Sequence, residues 1–306
     1  MSSIAVRRPD REASPLARRS GWDRSRTIGV LILEPTPFAR ASLLSAIHAA
    51  ARDADYLVSI ADVPMAGRGA VLAAVGRLRD RAAEGILVIA PRVGALEALR
   101  EAAQEIPVVA VGTGPQDGMS TVTVDQYGGA AAATRHLLAL GNQTVFHVAG
   151  PGGQHDSSLR LAGWRDALLA AGAEVPLPLI GDWSPARGYE LGCRLGLRTD
   201  VTAIFVAGDH MALGVLRALH ELRRPVPDEV SVVGFDCIPQ GEFFTPPLTT
   251  VRQNATEMGR RSFELLSAEI ELGRQATVHH TVPTELILRA STLTAGRRRE
   301  PAVVPV

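Results

Sequence analysis

Residues 202–219 read TAIFVAGDHMALGVLRAL. The apolar run AIFVAG (203–208) reads as a strand buried on both faces, and residues 209–222 behind it read as a helix. Gly208-Asp209 marks the junction between them. A continuous apolar strand leading straight into a helix is the unit of a parallel sheet covered on both sides, and the rest of the chain repeats it.

Upstream, the predicted strands are TIGVLIL (27–33), YLVSIAD (56–62), GILVIAP (85–91), PVVAVG (107–112), STVTVD (120–125), TVFHVAG (144–150) and a weak one near 178–181. Helices are predicted over 40–55, 70–83, 94–104, 126–140, 157–171 and 185–196. Downstream come VSVVGFD (230–236), a proline-rich crossing FFTPPLTTV (243–251), a helix over 254–272 and a strand TVPTELILR (281–289). The rhythm runs to residue 150 and then restarts, which predicts two doubly wound α/β halves with a cleft between them. Ligands of such sheets sit beyond the carboxyl ends of the strands.

Composition agrees with a large apolar core and narrows the chemistry. The chain has 306 residues, 46% of them apolar but only 4% aromatic, so Ala, Val and Leu must fill the core. The 32 cationic residues, all Arg, balance 32 acidic ones, so there is no global attraction to nucleic acid. Cys193 and Cys237 form no CxxC or Cys/His cluster, and no metal is expected. No signal-peptide core and no apolar run of membrane-spanning length occur, so the protein is expected to be cytoplasmic, with no membrane partner.

Enzyme motifs are absent. No GxGxxG follows the first strand, and neither GxxxxGK[ST] nor GxSxG is present. GPGG (150–153) follows a strand but lacks a cation at phosphate-loop spacing. His147 lies inside a strand and reads as core, whereas His155, beside Asp156 in a glycine-rich loop, reads as a contact residue. No catalytic residue and no cofactor are therefore expected.

Polar and aromatic residues collect instead just after the strands: Phe38, Arg92, Asp125, then His155, Asp156 and Arg160, then Trp183, Asp209 and Asp236. Carboxylates accept from paired hydroxyls, a guanidinium donates a rigid fork, and a flat ring covers the apolar face of a sugar. Converging on one cleft, they suit a polyhydroxylated small molecule. For Asp125 and Asp209 a helix N-cap accounts for the position equally well.

Five segments, in this order and spacing, carry a resemblance: DSSLRLAGWRDAL (156–168), GDWSPARGYELG (181–192), TAIFVAGDHMALGVLRAL (202–219), VPDEVSVVGFD (226–236) and PPLTTVRQN (246–254). Together they resemble the effector-binding core of LacI-type transcriptional regulators, whose fold is shared with periplasmic sugar-binding proteins (type I). The resemblance covers about residues 26–293. It implies two Rossmann-like subdomains joined by three crossings: 27–150 with 250–277, and 151–249 with 278–293, followed by a tail at 294–306. It places effector contacts on Arg160, Trp183, Asp125, Asp236 and Gln253, with Pro37, Phe38 and Ala39 as an apolar wall. Two positions depart from the family pattern. Gly208 stands where the family usually has an Asn that contacts the effector, and Cys237 stands where a second Asp is common, which leaves the effector's identity open.

The resemblance implies a homodimer that binds a small, carbohydrate-like effector and signals by subdomain reorientation. A solute-binding protein, or a ligand sensor without DNA binding, is the alternative; an enzyme has no motif in its favour. Only 26 residues precede the first strand, less than a helix-turn-helix reading head requires. Within them RRPDREASPLARRSG (7–21) reads either as a disordered Arg-rich tail or as a hinge-like segment. In the second reading Leu16-Ala17 falls on the family's minor-groove wedge, with Pro15 as an interruption. The expectation is that the reading head is missing or truncated, and that operator DNA is a partner only with a helix-turn-helix restored upstream.

Overall fold

Valine-, isoleucine- and leucine-rich runs of four to six residues form the strands, because β-branched side chains buried on both faces fit the pleat. A computed structural model describes residues 24–33, 37–63, 67–89, 93–273 and 276–293, giving the backbone alone for 37–40, 93 and 94. Leu16, Ala17 and the 294–306 tail lie outside the described residues.

In chain order the elements begin with β1 (Thr27–Ile32), α1 (Pro37–Asp53), β2 (Leu57–Asp62), α2 (Arg68–Asp80), β3 (Gly85–Ile89), α3 (Val93–Ala102), β4 (Val108–Val111) and β5 (Ser120–Val124). There follow α4 (Gln126–Ala139), β6 (Phe146–Ala149), α5 (His155–Ala170), β7 (Leu179–Ile180), α6 (Pro185–Gly196), β8 (Ala203–Val206), α7 (Asp209–Glu221) and β9 (Ser231–Asp236). The chain continues through β10 (Thr249–Gln253), α8 (Ala255–Leu272), β11 (His279–Val282) and β12 (Thr284–Ile287).

Two six-stranded sheets result. The first has the order β11-β5-β4-β3-β1-β2, all parallel. The second has the order β12-β10-β9-β8-β6-β7, parallel except for the antiparallel edge strand β12. Each sheet is sandwiched between two apolar clusters. On the first, α2 and α3 supply Val71, Leu78 and Leu99 to one face, while α1 and α8 supply Ile47, Phe263 and Leu266 to the other. On the second, α6 and α7 bring Leu191, Met211 and Val215, and α4 and α5 bring Leu137, Trp164 and Leu168. This is the expected pair of doubly wound Rossmann-like halves.

The boundaries differ from the expectation. The chain leaves the first sheet at Asp125, returns to it at Asn254 and leaves again at Pro283, so the first half is 27–124 with 255–282. The segments α4 and β6, expected in the first half, belong to the second. Ala130, Ala133 and Leu137 of α4 pack among Phe205, Phe235 and Trp164, and β6 pairs with β8. The β–α–β rhythm runs unbroken through residue 125, so nothing in the periodicity marks which sheet the next strand joins. The single strand expected over 281–289 is two strands in different sheets, parted at Pro283, whose nitrogen has no hydrogen to donate to a ladder.

The three crossings lie side by side. The Asp125 amide donates to Val282 O at 2.9 Å, Thr284 Oγ1 donates to Asp125 O at 3.4 Å, and Gln126 Nε2 donates to Gln253 Oε1 at 3.4 Å.

Candidate functional site

The carboxyl ends of β6, β8, β9 and β10 point at one region beside these crossings, and Arg160 sits at its centre. It is the sixth residue of α5, which begins six residues after the end of β6, and only 4% of it is exposed. All three nitrogens of its fork are engaged: Nε donates to Gln126 Oε1 at 2.8 Å, Nη1 to the Ala207 carbonyl, and Nη2 lies 3.1 Å from Asp236 Oδ1. The guanidinium carbon stands 3.8 Å from the centre of the Phe235 ring and 5.5 Å from that of Trp183, so the cation is held between two aromatic faces.

Asp236 closes β9 and accepts a second bond from Gln253 Nε2 at 2.6 Å. Its φ of 104°, followed by 57° at Cys237, puts two non-glycine residues in the left-handed region. Trp183, with φ 72°, does the same. Strained backbone of this kind persists where surrounding contacts fix it and concentrates at functional sites. Burial pushes the Asp236 carboxyl up, while the Arg160 charge and the Gln253 bond draw it back.

The Trp183 ring lies against Gly150, where any Cβ would collide with it, and its Nε1 donates to Gln154 Oε1 at 2.7 Å. Gly208, the N-cap of α7, is extended at φ −163°, and a Cβ there would stand 3.4 Å from both Asp236 Oδ2 and Trp183 Cε3. The position therefore faces the carboxylate and the indole, and its lack of a side chain leaves the space between them open.

Asp156 and His155 open α5. The Asp156 Oδ1 atom is sealed from solvent and has no hydrogen-bond partner. The His155 ring lies against Gly114, in the loop between β4 and β5; a Cβ there would be 3.0 Å from its Cε1 and Nε2. This contact reaches across the cleft from the second half to the first.

Two expected contacts are occupied otherwise. Asp125 caps α4, accepting from the Gly128 amide at 2.7 Å. Asp209 is fully buried and accepts from the Ile238 amide at 2.9 Å and the Thr250 hydroxyl at 2.6 Å, which ties α7 to β10 and to the turn after β9. Burial, and then the charge of Asp236, raise its carboxyl to about 7. Arg92 and the side chains of Pro37 and Phe38 lie outside the described residues.

The sequence reading missed Gln126, Gln154 and Phe235. Each is adjacent or nearly adjacent to a residue it did single out, and Gln126 is buried at a strand-to-helix junction, where an amide needs partners. His147 is core, as read: it is 1% exposed and stacks on Phe205 and Trp164 at ring distances of 4.7 and 5.1 Å. Among the described residues no group of His, Cys, Asp and Glu is arranged to hold a metal ion, and no helix is long and apolar enough to cross a membrane.

A family model described as a periplasmic binding protein-like domain matches residues 134–292. The chain is 33% identical over 285 residues to the lactose operon repressor of Klebsiella pneumoniae, an alignment that covers 92% of this chain and 79% of that protein. A crystal structure of the Lac repressor bound to ONPG matches with a TM-score of 0.80 at 28% identity, covering 87% of this chain and 81% of the other. A complex of the transcriptional regulator CelR with cellobiose matches with a TM-score of 0.77 at 29% identity, covering 88% of this chain and 85% of that one. Fold, motif order and whole-length similarity agree: the chain belongs to the LacI-type family of transcriptional regulators.

Proposed function

We propose that this chain binds a small sugar-like effector in the cleft beside Arg160 and relays its presence by reorienting the two halves within a homodimer. The observation that carries the reading is the Arg160–Asp236–Gln253–Gln126 network. It joins the floor of the cleft to two of the three crossings, so a ligand that adds bonds to these groups acts where the halves hinge. Arg160 keeps one hydrogen free on each terminal nitrogen, Asp236 Oδ2 faces the open space at Gly208, and Trp183 offers a ring face. These groups suit hydroxyls on a flat ring, and the CelR–cellobiose complex is a relative with such a ligand.

The role is binding rather than catalysis: the polar groups are held by one another, and none forms a nucleophile–base pair. Asp156, His155 and Gly208 belong to the rim and floor of the same site. Operator DNA becomes a partner only where a helix-turn-helix precedes the core.

Titration of a panel of mono- and disaccharides by calorimetry, with light scattering for oligomeric state, tests the reading. At least one saccharide binds the wild type with a single site per chain, Arg160→Ala abolishes that binding, and the species in solution is a dimer. Binding that survives Arg160→Ala at full strength moves the site elsewhere.

A further inference from the structure

Resting on that ligand-binding reading, we infer that the cleft selects a sugar carrying a protonated amine, an amino sugar, and that Asp156 is the residue that selects it. The charge balance of the cleft floor is uneven. Asp156 and Asp236 converge there, with Asp209 buried behind Asp236, and Arg160 is the one guanidinium set between Asp156 and Asp236 among the described residues. A second cation, Arg289, is spread over the Leu248 carbonyl, the Cys237 sulfur and Glu242, and Glu242 neutralises it. Among the described residues, His155 and His210 are further titratable neighbours.

Arg160 spends its direct ion pair on Asp236, at 3.1 Å, and its other bonds on neutral oxygens of Gln126 and Ala207. Asp156, one turn ahead of Arg160 on α5, is left with a buried oxygen that no group among the described residues satisfies. Burial pushes its carboxyl up, Arg160 and His155 pull it back, and Asp236 adds to the rise. An unpaired buried carboxylate is costly, and few native structures leave one without a reason.

A ligand hydroxyl satisfies such an oxygen without neutralising its charge. An ammonium supplies the donor and the missing positive charge together, so that both partners of the bond are ionised rather than one. The same surplus of carboxylates repels sugar phosphates and sugar acids. The Trp183 ring, already facing one cation, gives a second apolar and electron-rich surface to the ligand.

The test is calorimetry at pH 7 with glucosamine, galactosamine, the β-1,4-linked glucosamine dimer, their parent neutral sugars, N-acetylglucosamine and glucose 6-phosphate. Amino sugars bind about tenfold to a hundredfold tighter than the parent sugars and the N-acetyl form. Asp156→Asn brings that ratio close to one, because the amide keeps the shape of the side chain and removes its charge. Equal or tighter binding of neutral or phosphorylated sugars by the wild type overturns the inference and leaves the sugar-binding reading standing. So does a ratio unchanged in Asp156→Asn. Binding of no member of the panel removes both.

Discussion

At the scale of single residues, two buried carboxylates with similar sequence settings do different work. Asp236 ends a strand before a turn and faces the cleft through Arg160 and Gln253. Asp209 opens α7 just after β8 and turns inward to the Ile238 amide and the Thr250 hydroxyl. Asp209→Ala strands both donors, so it should cost about 2–4 kcal/mol of stability, read as a lowered denaturation midpoint. Arg160→Ala leaves Asp236 without its buried partner and should cost about 3–5 kcal/mol, with loss of ligand-induced thermal stabilisation; a variant as stable as the wild type contradicts the pairing. His147 provides a pH test. Burial lowers its imidazole from 6.5 to about 4. The unfolded chain therefore takes up the proton first as pH falls, and the stability associated with the site is full above about 6.5 and lost through about 4, a loss of about 3 kcal/mol. Asp209 acts in the opposite sense, since its raised carboxyl costs stability as pH rises toward about 7. The comparison of His147→Phe with the wild type isolates the first effect: the gap between their melting temperatures should shift in favour of the variant between pH 7 and 4.5. The sequence singled out Arg160, Trp183, Asp236 and Gln253, which the structure brings together, because each stands at a strand end or in a family motif. It left open whether Asp125 and Asp209 face ligand or helix, because a carboxylate at a strand-to-helix junction serves either end, and only the geometry of the following turn decides.

At the scale of elements, strands and helices were legible almost throughout, since buried parallel strands are unbroken apolar runs and the helices between them are long. Their assignment to sheets was less so: α4 and β6 continue the local rhythm while changing partners, which only the tertiary contacts of Leu137 and Phe146 reveal. Some packing rests on glycine. Gly214 of α7 and Gly188 of α6 meet back to back, and a Cβ on Gly214 would collide with the Pro185 carbonyl oxygen while one on Gly188 would collide with that of Met211. Gly214→Ala should therefore push the two helices apart and cost about 1–3 kcal/mol, despite alanine's better helix propensity. An unchanged or raised melting temperature would show that the backbones yield freely there.

At the scale of the whole molecule, each half is assembled from separated stretches of one chain, and α8 covers the sheet that begins some 220 residues before it. Unfolding should be a single transition in calorimetry, with calorimetric and van't Hoff enthalpies equal, because neither half is a contiguous segment able to melt by itself. Two resolved transitions would argue that the halves unfold independently. The order of strands has a further consequence during synthesis. The last two strands, β11 and β12, are the outer members of the two sheets, and they pair with β5 and β10. Until residues 279–287 have left the ribosome, β5 and β10 each present an open edge of unpaired amides and carbonyls. The nascent protein is thus most exposed to edge-to-edge association just before residues 279–287 emerge, and a chain stopped at Gly273 should accumulate as aggregate while the 306-residue chain stays in solution.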